Sequence, residues 1–356
     1  MRAWAVVENG RPLEEVEWPT PEPRGTEVLL EVSHCGVCHS DLHIWDGFYD
    51  LGGGKKMSLS DRGVKLPLAM GHEIVGRVAK VGSDAKDVRP GDLRLVYPWI
   101  GCGKCERCLA HEDNMCASPN FIGIHRNGGY ATHVLVPHER YLIDFGDLDP
   151  ALAATYACSG LTVYGAIQKV MPMPPDEPVV IIGAGGLGLN AIAILRALGH
   201  KRIVAVDISA DKRQAALDAG ATGAVDASGE GVVQRILDAS DGRPVLAVID
   251  LVNGSATARF AVDVLRKGGR LVQVGLFGGE LTVALPVMVM RALTIQGSYV
   301  GTPQDLRDLI ALAREGALPA LPLTTLPQCE ANHALDSLHQ GHVTGRLVLK
   351  AEPEGS

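Results

Sequence analysis

The sequence predicts an α/β protein with two domains, one rich in short β-strands and one built on a doubly wound parallel sheet. The chain has 356 residues, which is longer than one ordinary hydrophobic core usually spans. As far as about Tyr141, short apolar runs alternate with turn residues, a pattern typical of a β-rich domain. After Pro175, apolar runs alternate with helical segments, which predicts a parallel sheet with helices on its faces.

The composition excludes several classes of protein. Hydrophobic residues at 46% and charged residues at 21% are typical of a soluble globular protein. The formal net charge is -8 and the basic residues are scattered, which argues against a nucleic-acid partner. The first segment, up to Pro23, is broken by prolines and lacks the apolar core of a signal peptide. No apolar run reaches transmembrane length, so we expect a cytoplasmic protein without a membrane partner.

In the first domain, three strands are predicted where apolar residues cluster between turn signals: Val28–Val32, Ile74–Val78 and Leu93–Tyr97. Pro90-Gly91-Asp92 is a turn signal between the last two strands. The polar, glycine-rich segment 47–65 shows no periodicity and predicts a long loop. Such loops are either functional lids or mobile surface segments, and the sequence leaves both open.

In the second domain, Val179–Ile182 is a continuous apolar run, as expected for a strand that is buried on both faces. A helix is predicted from Leu187 to Leu198, and Gly199 closes it. The other predicted elements are strands at Ile203–Asp207, Val245–Leu251 and Arg270–Val274, and helices at Ser209–Ala219 and Ala256–Leu265.

The last part of the chain carries fewer signals. The segment Leu281–Gly297 is apolar and strand-like, which makes it a candidate dimer seam. Thr302-Pro303-Gln304-Asp305 is a capping box, so a helix should follow as far as about Arg314. Gly345–Leu349 predicts a final strand, and the residues from Glu352 onward are expected to fray.

A dinucleotide site is predicted where a glycine-rich turn follows the first apolar strand of the second domain. Gly183 allows the tight turn, Gly185 lets the backbone approach a pyrophosphate, and Gly188 lets helix and strand pack closely. The next strand ends at Asp207, where an acidic residue contacts the adenine ribose. The alternative is a structural glycine turn with a solvated aspartate.

The charge of Asp207 would repel a 2′-phosphate, which favours NAD over NADP. Lys212 and Arg213 lie near enough in sequence to weaken that preference. The predicted cofactor is therefore NAD, with the strictness of discrimination left open.

Four of the eight cysteines fall in one short segment, and their spacing suits thiolates around one tetrahedral metal better than disulfides. These predicted structural zinc ligands are Cys102, Cys105, Cys108 and Cys116. Cys35 and Cys329 belong to neither metal set and are expected to be small buried hydrophobic residues.

A second metal site is predicted from three separate stretches. Gly36-Val37-Cys38-His39-Ser40-Asp41-Leu42-His43 places a thiol, a hydroxyl, a carboxylate and an imidazole in close sequence. Together with His72 and Cys158, Cys38 gives two thiolates and one imidazole, a three-ligand zinc set whose fourth position stays open. Such an open position is typical of a catalytic zinc site.

These motifs, in this order, resemble those of the zinc-dependent medium-chain alcohol dehydrogenases over essentially the whole chain. The resemblance implies a discontinuous GroES-like catalytic domain of residues 1–155 and 297–356 around a Rossmann domain of residues 156–296. It also implies reversible hydride transfer between a primary or secondary alcohol and NAD, giving an aldehyde or ketone. The resemblance further implies two zinc ions per chain. It also implies a homo-oligomer, with a tetramer favoured over a dimer.

By position, the resemblance assigns the catalytic zinc to Cys38, His72 and Cys158. Glu73 matches an acid that can approach the metal, and Asp41 matches a carboxylate that orients His72. A zinc site lowers the pKa of a bound hydroxyl, and an alkoxide releases hydride to a nicotinamide ring more readily than an alcohol does.

Ser40 and His43 match the start and the outer end of a proton relay to solvent, and Trp99 matches a substrate-pocket wall of prokaryotic members. The cofactor contacts implied are Thr162, Gly183, Gly185, Gly186, Leu187, Gly188, Asp207, Lys212, Val252, Val274 and Arg346.

Simpler interpretations stay open. Ser40 can be an ordinary turn residue, His43 a surface imidazole, and Glu73 a structural acid. Polyol dehydrogenases of the family often carry Glu at the position of Cys158, which disfavours that branch, and zinc-free quinone reductases lack both cysteine sets. A catalytically silent NAD-binding protein would be free to lose Cys38, which is present.

Overall fold

The first part of the chain is rich in β-strands, as predicted, and these strands pair in antiparallel fashion. The structure, a computed structural model, describes residues 1–319 and 321–351. The strands of this part are β1 (Arg2–Val6), β2 (Glu14–Glu17), β3 (Val28–Val37), β4 (Phe48–Asp50), β5 (Lys56–Ser58), β6 (Leu68–Ala69), β7 (Glu73–Val81), β8 (Leu93–Val96), β9 (His133–Val136) and β10 (Leu142–Ile143). The three strands predicted here are confirmed as parts of β3, β7 and β8, although β8 ends at Val96, one residue before the predicted end.

The pairing of β3 with β7 brings two predicted ligand segments together. These strands are antiparallel, and their register places Gly36 opposite Glu73. A Cβ at Gly36 would clash with the carboxylate of Glu73, so glycine is required at this position. The end of β3 therefore delivers Cys38 beside His72, which precedes β7.

The 47–65 segment is more ordered than the sequence predicts. It contains the antiparallel hairpin of β4 and β5 and a 3₁₀ turn at Ser60–Arg62. A Cβ at Gly52 would lie 2.7 Å from the backbone carbon of Gly279, so the hairpin tip packs closely on the second domain. The predicted long loop is therefore partly regular, because the glycines form the tight tip between two short strands.

The helices of the first part lead into the second. They are α1 (His39–Asp46), α2 (Glu106–Leu109), α3 (Pro150–Thr155) and α4 (Leu161–Val170). The turn Tyr156–Gly160 between the last two is π-helical, and short 3₁₀ turns lie at Asp113–Met115 and Glu139–Tyr141. Cys158 lies in the π-helical turn, a conformation that often occurs at functional sites.

A six-stranded parallel sheet forms the centre of the second domain, in the order β13-β12-β11-β14-β15-β16. Its elements are β11 (Val179–Ile182), α5 (Gly186–Ala197), β12 (Ile203–Asp207), α6 (Ala210–Asp218), β13 (Gly223–Asp226), α7 (Val232–Ala239), β14 (Val245–Asp250), α8 (Ser255–Asp263), β15 (Leu265–Gln273), α9 (Leu285–Met290) and β16 (Thr294–Gly297). The strand order reverses between β11 and β14, where ligands bind in doubly wound sheets. The predicted doubly wound sheet is confirmed.

One element at the sheet edge was predicted wrongly. The middle of Leu281–Gly297 forms helix α9 rather than a strand, and only its end forms β16. Pro286 lies in the first turn of α9, where its missing N–H costs no hydrogen bond. Leu285 and Val289 are 79% and 80% exposed, so this helix leaves an apolar face uncovered.

The end of the chain returns to the first domain through α10 (Pro303–Arg314), β17 (Leu323–Pro327), α11 (Ala331–His339) and β18 (Arg346–Lys350). The predicted capping box is present, since the hydroxyl of Thr302 accepts from Asp305 N–H at 3.1 Å. Strand β18 pairs with β3, so the final strand completes the first sheet. The expected frayed end, 352–356, lies outside the described residues.

Two smaller expectations are also tested. Cys35 is buried as predicted, whereas Cys329 is exposed, because it lies in a 3₁₀ turn at the surface. Among the described residues, no helix is long and apolar enough to cross a membrane.

Candidate active site

A cleft of about 1240 Å³ lies between the two domains. One wall is formed where β11, β12, β14 and β15 end, and the opposite wall by α1 and the segment 298–302. Of the residues predicted to act in catalysis, Ser40 and His43 line this cleft, whereas Asp41 and Glu73 are buried behind its wall.

Cys38, His72 and Cys158 meet at the cleft wall. Their ligand atoms all lie within 4.8 Å of one another, and the two sulfur atoms are 3.8 Å apart. All three side chains are buried, and His72 Nε2 has no hydrogen-bond partner among the described residues. An unpartnered buried nitrogen facing two thiols fits a zinc ion, which binds such donors tetrahedrally.

The surroundings of Cys38 favour the thiolate form of its side chain. A hydrogen bond from the Cys158 thiol lowers the pKa of Cys38 well below its ordinary value, although burial opposes this shift. A thiolate is the form of cysteine that binds metal. The pair therefore supplies the negative charge that a divalent cation needs in a buried place.

Asp41 fixes the geometry of two of these ligands. Its Oδ1 lies 3.3 Å from Nδ1 of His72, and its Oδ2 accepts from the N–H of Cys38 at 2.9 Å and from the hydroxyl of Tyr130 at 3.1 Å. A carboxylate at Nδ1 leaves Nε2 free to bind a metal. This is the arrangement that the sequence predicts for Asp41.

Glu73 lies behind the metal-ligand set. Its Oε2 forms an ion pair with Arg346, and its Oε1 accepts from the N–H of Ser159 at 3.3 Å. Burial raises the pKa of Glu73 to about 7, although Arg346 opposes the shift. In this arrangement the carboxylate is held by Arg346 and Ser159 and does not reach the cleft.

The four clustered cysteines form a separate donor set. The ligand sulfurs of Cys102, Cys105, Cys108 and Cys116 lie within 4.8 Å of one another. The Cys105 sulfur is 3.5 Å from that of Cys108, far beyond the disulfide bond length of about 2.05 Å. Four thiols at these separations suit a structural zinc site.

The glycine turn has the shape that a dinucleotide requires. Gly183 has φ +93, which other residues rarely adopt, and a Cβ at Gly188 would clash with the carbonyl oxygen of Gly183. A Cβ at Gly185 would meet no atom within 4 Å, so this side of the turn is open. The N–H groups that begin α5 are therefore accessible to a phosphate.

The predicted cofactor residues are brought together, with one exception. Arg346 is 4% exposed and lies beneath the turn, where it packs on Gly186 and pairs with Glu73. The others line the cleft: Thr162, Gly183, Gly185, Gly186, Leu187, Gly188, Asp207, Lys212, Val252 and Val274.

The carboxylate of Asp207 lies at the cleft, and the two cations that follow it in the sequence lie in different places. Its carboxylate oxygens accept from the N–H groups of Ala184 at 2.8 Å and Ser209 at 2.9 Å, which holds the side chain at the cleft. Arg213 is turned away, since it pairs with Asp226 at 3.3 Å and donates to the carbonyl of Asp207. Lys212 lines the cleft, so its ammonium group is a cation on the same cleft as Asp207.

The predicted relay residues follow one another along α1. Ser40 and His43 line the cleft three residues apart, close to one helical turn. His43 packs against Tyr49 with ring centroids 4.7 Å apart. Burial lowers the pKa of His43, so its imidazole is neutral at pH 7 and can accept a proton.

Trp99 contacts both the cleft and the metal-ligand set. Its ring lies 5.3 Å from that of His72, and its Nε1 donates to the carbonyl of Ala157 at 3.1 Å. Three other side chains that line the cleft carry no sequence signal, because they come from the hairpin, the segment after β16 and the end of α11: Tyr49, Tyr299 and His339.

The fold and the cleft define a class of protein. A doubly wound sheet presents a glycine turn to the cleft. Cys38 and His72 of the antiparallel domain meet Cys158, which lies just after that part of the chain, at the same cleft. This is the construction of a two-domain dinucleotide-binding protein with a metal site beside its cofactor.

Comparison with known proteins names the family. Residues 24–147 match the alcohol dehydrogenase GroES-like domain, and residues 186–315 match the zinc-binding dehydrogenase domain. An NAD-dependent alcohol dehydrogenase of Sulfurisphaera tokodaii is 39% identical over 350 residues, which cover 98% of this chain and 99% of that protein. The chain belongs to the zinc-dependent medium-chain alcohol dehydrogenase family.

Solved structures agree on the fold. The alcohol dehydrogenase from Aeropyrum pernix superimposes with a TM-score of 0.88 at 30% identity, covering 98% of this chain and 100% of that one. The D-arabinose dehydrogenase from Sulfolobus solfataricus gives a TM-score of 0.83 at 27% identity, covering 98% of both chains. The α/β fold with a GroES-like domain and a Rossmann domain is thereby confirmed.

Proposed function

We propose that this protein is an NAD-dependent alcohol dehydrogenase that converts primary or secondary alcohols to aldehydes or ketones and catalyses the reverse reaction. The observation that carries the proposal is that Cys38 and Cys158 line the cleft that the glycine turn also faces, with the buried His72 beside them. The family of the chain supports the same activity and the use of NAD and zinc.

We assign the catalytic zinc to these three residues and the structural zinc to the four clustered cysteines. Zinc with an open position lowers the pKa of a bound hydroxyl, to about 7 for water in favourable sites. Asp41 orients His72, and burial of the set excludes competing water from the ligands. Cys38 and Cys158 line the same cleft as the glycine turn, so an alcohol held at the metal would share this cleft with NAD, whose nicotinamide ring would supply the hydride acceptor.

The proton of the alcohol leaves along α1 in this proposal. The Ser40 hydroxyl would accept this proton as it gives up its own, and the neutral imidazole of His43 would take the released proton on toward solvent. Thr162, which is buried and lines the cleft, is proposed to contact the cofactor.

A direct test measures the formation of NADH from NAD, or of NADPH from NADP, with a panel of primary, secondary and aromatic alcohols. We expect oxidation with NAD that is lost after chelation of the metal and restored by zinc. Unchanged oxidation after complete metal removal would contradict the assignment.

Replacing Asp207 with glycine should relax the preference for NAD. Without this carboxylate, a 2′-phosphate no longer meets a like charge, so the NAD-to-NADP ratio of kcat/KM should fall by at least about tenfold. The measurement is steady-state kinetics with both cofactors. Asp238→Gly, which removes an exposed carboxylate of α7, is the control. An unchanged ratio in Asp207→Gly would mean that Asp207 does not contact the ribose.

Replacing His43 with glutamine should lower kcat near pH 7, by up to about 10²-fold if His43 accepts the proton. Burial lowers the pKa of His43 below its ordinary value of 6.5, so wild-type kcat should fall only as the pH drops below that value. In the variant, kcat should instead rise steadily with pH, because solvent must take the proton. His342→Gln at an exposed site is the control, and a variant with the wild-type pH profile would exclude the relay.

We further propose two domains: residues 1–155 together with 297–356 form the first, and residues 156–296 form the second. The pairing of β18 with β3 supports this division.

A cytoplasmic location is supported by two clusters of unbridged thiols, which suit a reducing compartment. The exposed apolar face of α9 supports a homo-oligomer, for which the expected state is a tetramer; sedimentation velocity distinguishes it from a dimer.

A further inference from the structure

Asn190 is a buried amide within the otherwise apolar run of helix α5. Its side chain is 1% exposed, and it lies one turn after Gly186, where the helix begins at the glycine turn. Its Nδ2 donates to the carbonyl of Gly186 at 3.2 Å and to the hydroxyl oxygen of Ser159 at 3.1 Å. The amide therefore joins the start of the dinucleotide helix to a second segment of the chain.

That second segment carries a metal ligand. Ser159 follows Cys158 in the π-helical turn and is fully buried. Its hydroxyl donates to the carbonyl of Thr155 at 2.8 Å, so its oxygen is oriented to accept from Asn190. Its N–H donates to Glu73, the residue after His72.

The connections close into a ring. Glu73 pairs with Arg346, and Arg346 packs against Gly186, at the start of the same helix. The ring therefore runs from the glycine turn through Asn190 and Ser159 to Glu73 and back. Its members are all buried or packed, so none can exchange its partner for water without cost.

We infer that Asn190 and Ser159 form a positioning pair that couples occupancy of the dinucleotide turn to the orientation of the Cys158 segment. A pyrophosphate at the N-terminus of α5 orders the first turn of this helix, including the carbonyl of Gly186 that Asn190 contacts. The buried amide transmits that order to Ser159 and hence to the ligand beside it. The inference rests on the proposed zinc site and NAD site.

Coupling of this kind is reciprocal. If NAD favours the metal-competent arrangement of Cys158, metal at this site must tighten NAD binding by the same factor. We expect the dissociation constant of NAD to be at least about fivefold lower with catalytic metal than after its selective removal. This ratio is a property of binding, so it is independent of catalytic turnover.

The test compares wild type with Asn190→Ala, Ser159→Ala and the double variant. Calorimetric titration of NAD into the metal-depleted and metal-loaded forms gives the ratio of the two dissociation constants. This ratio should fall to about 1 in all three variants. The ratio in the double variant should be no lower than in either single variant, because each single variant already removes the hydrogen bond that joins the two side chains. Ser240→Ala, which truncates another fully buried serine of the second domain, should keep the wild-type ratio.

A second readout uses cobalt in place of the catalytic zinc. NAD should shift the visible thiolate–cobalt absorption of wild type, and this shift should be lost in Asn190→Ala while the spectrum without NAD stays the same. For turnover, kcat/KM should fall about tenfold in Asn190→Ala.

Variants that keep the wild-type ratio and the NAD-induced shift would overturn the inference, as would loss of both in Ser240→Ala. If Asn190→Ala does not fold, Ser159→Ala decides, since it removes only the hydroxyl. Wild type that binds NAD and metal but oxidises no alcohol would refute the proposed function and leave the coupling to be judged by the ratio alone.

Discussion

Replacing Cys38 with alanine should lower alcohol oxidation by at least about 10³-fold while the protein stays folded. The variant removes one of the two thiolates from a buried three-ligand set. The two ligands that remain, Cys158 and His72, are too few to hold a zinc ion tightly. The measurement combines kcat/KM for an alcohol with the zinc content of each purified protein, and with circular dichroism as the check on folding.

The matched control is Cys329→Ser, which changes an exposed cysteine outside both sulfur sets. It should keep both zinc ions and the wild-type rate. Wild-type turnover in Cys38→Ala would contradict the ligand role of Cys38 and, with it, the proposed mechanism.

Replacing Cys108 with serine should remove the other zinc ion and destabilise the protein by more than about 4 kcal/mol. Cys108 is buried, and its sulfur lies in the set formed with Cys102, Cys105 and Cys116. The segment that holds these cysteines has little secondary structure, only α2 and a 3₁₀ turn, so a bound zinc ion would supply much of its order. Differential scanning calorimetry and metal analysis measure both effects.

The catalytic zinc should survive in this variant, because the two donor sets share no residue. Zinc content should thus fall from two ions to one in Cys108→Ser and in Cys38→Ala alike, with the melting temperature strongly lowered only in Cys108→Ser. Loss of the same single ion in both variants would refute the two-site assignment.

Much of the fold could be predicted because local patterns agree with tertiary structure. The buried run Val179–Ile182 and the glycine turn after it are set by backbone constraints that hold in any parallel sheet. Thr302 likewise begins α10 through its own side chain. In the site, Cys38 and His72 could be proposed as ligands of one metal from the sequence, because each lies in a recognisable motif.

The remaining features depend on packing that the sequence does not display. Helix α9 forms where the apolar run favours a strand, because Pro286 starts a helix at the sheet edge. His339 reaches the cleft only because the end of the chain folds back over it. Asn190 carries one local signal, an amide within an apolar helical run, but its partner Ser159 is defined only by tertiary contact.

The most direct test of the account is anomalous diffraction at the zinc edge from crystals grown with NAD and a fluorinated alcohol that resists oxidation. We predict one zinc peak at the cleft with Cys38, His72 and Cys158 as its only protein ligands, with zinc–sulfur distances of about 2.3 Å and one position taken by a non-protein ligand. A cleft without metal, or a zinc ion with four protein ligands and no contact to the alcohol, would contradict the account.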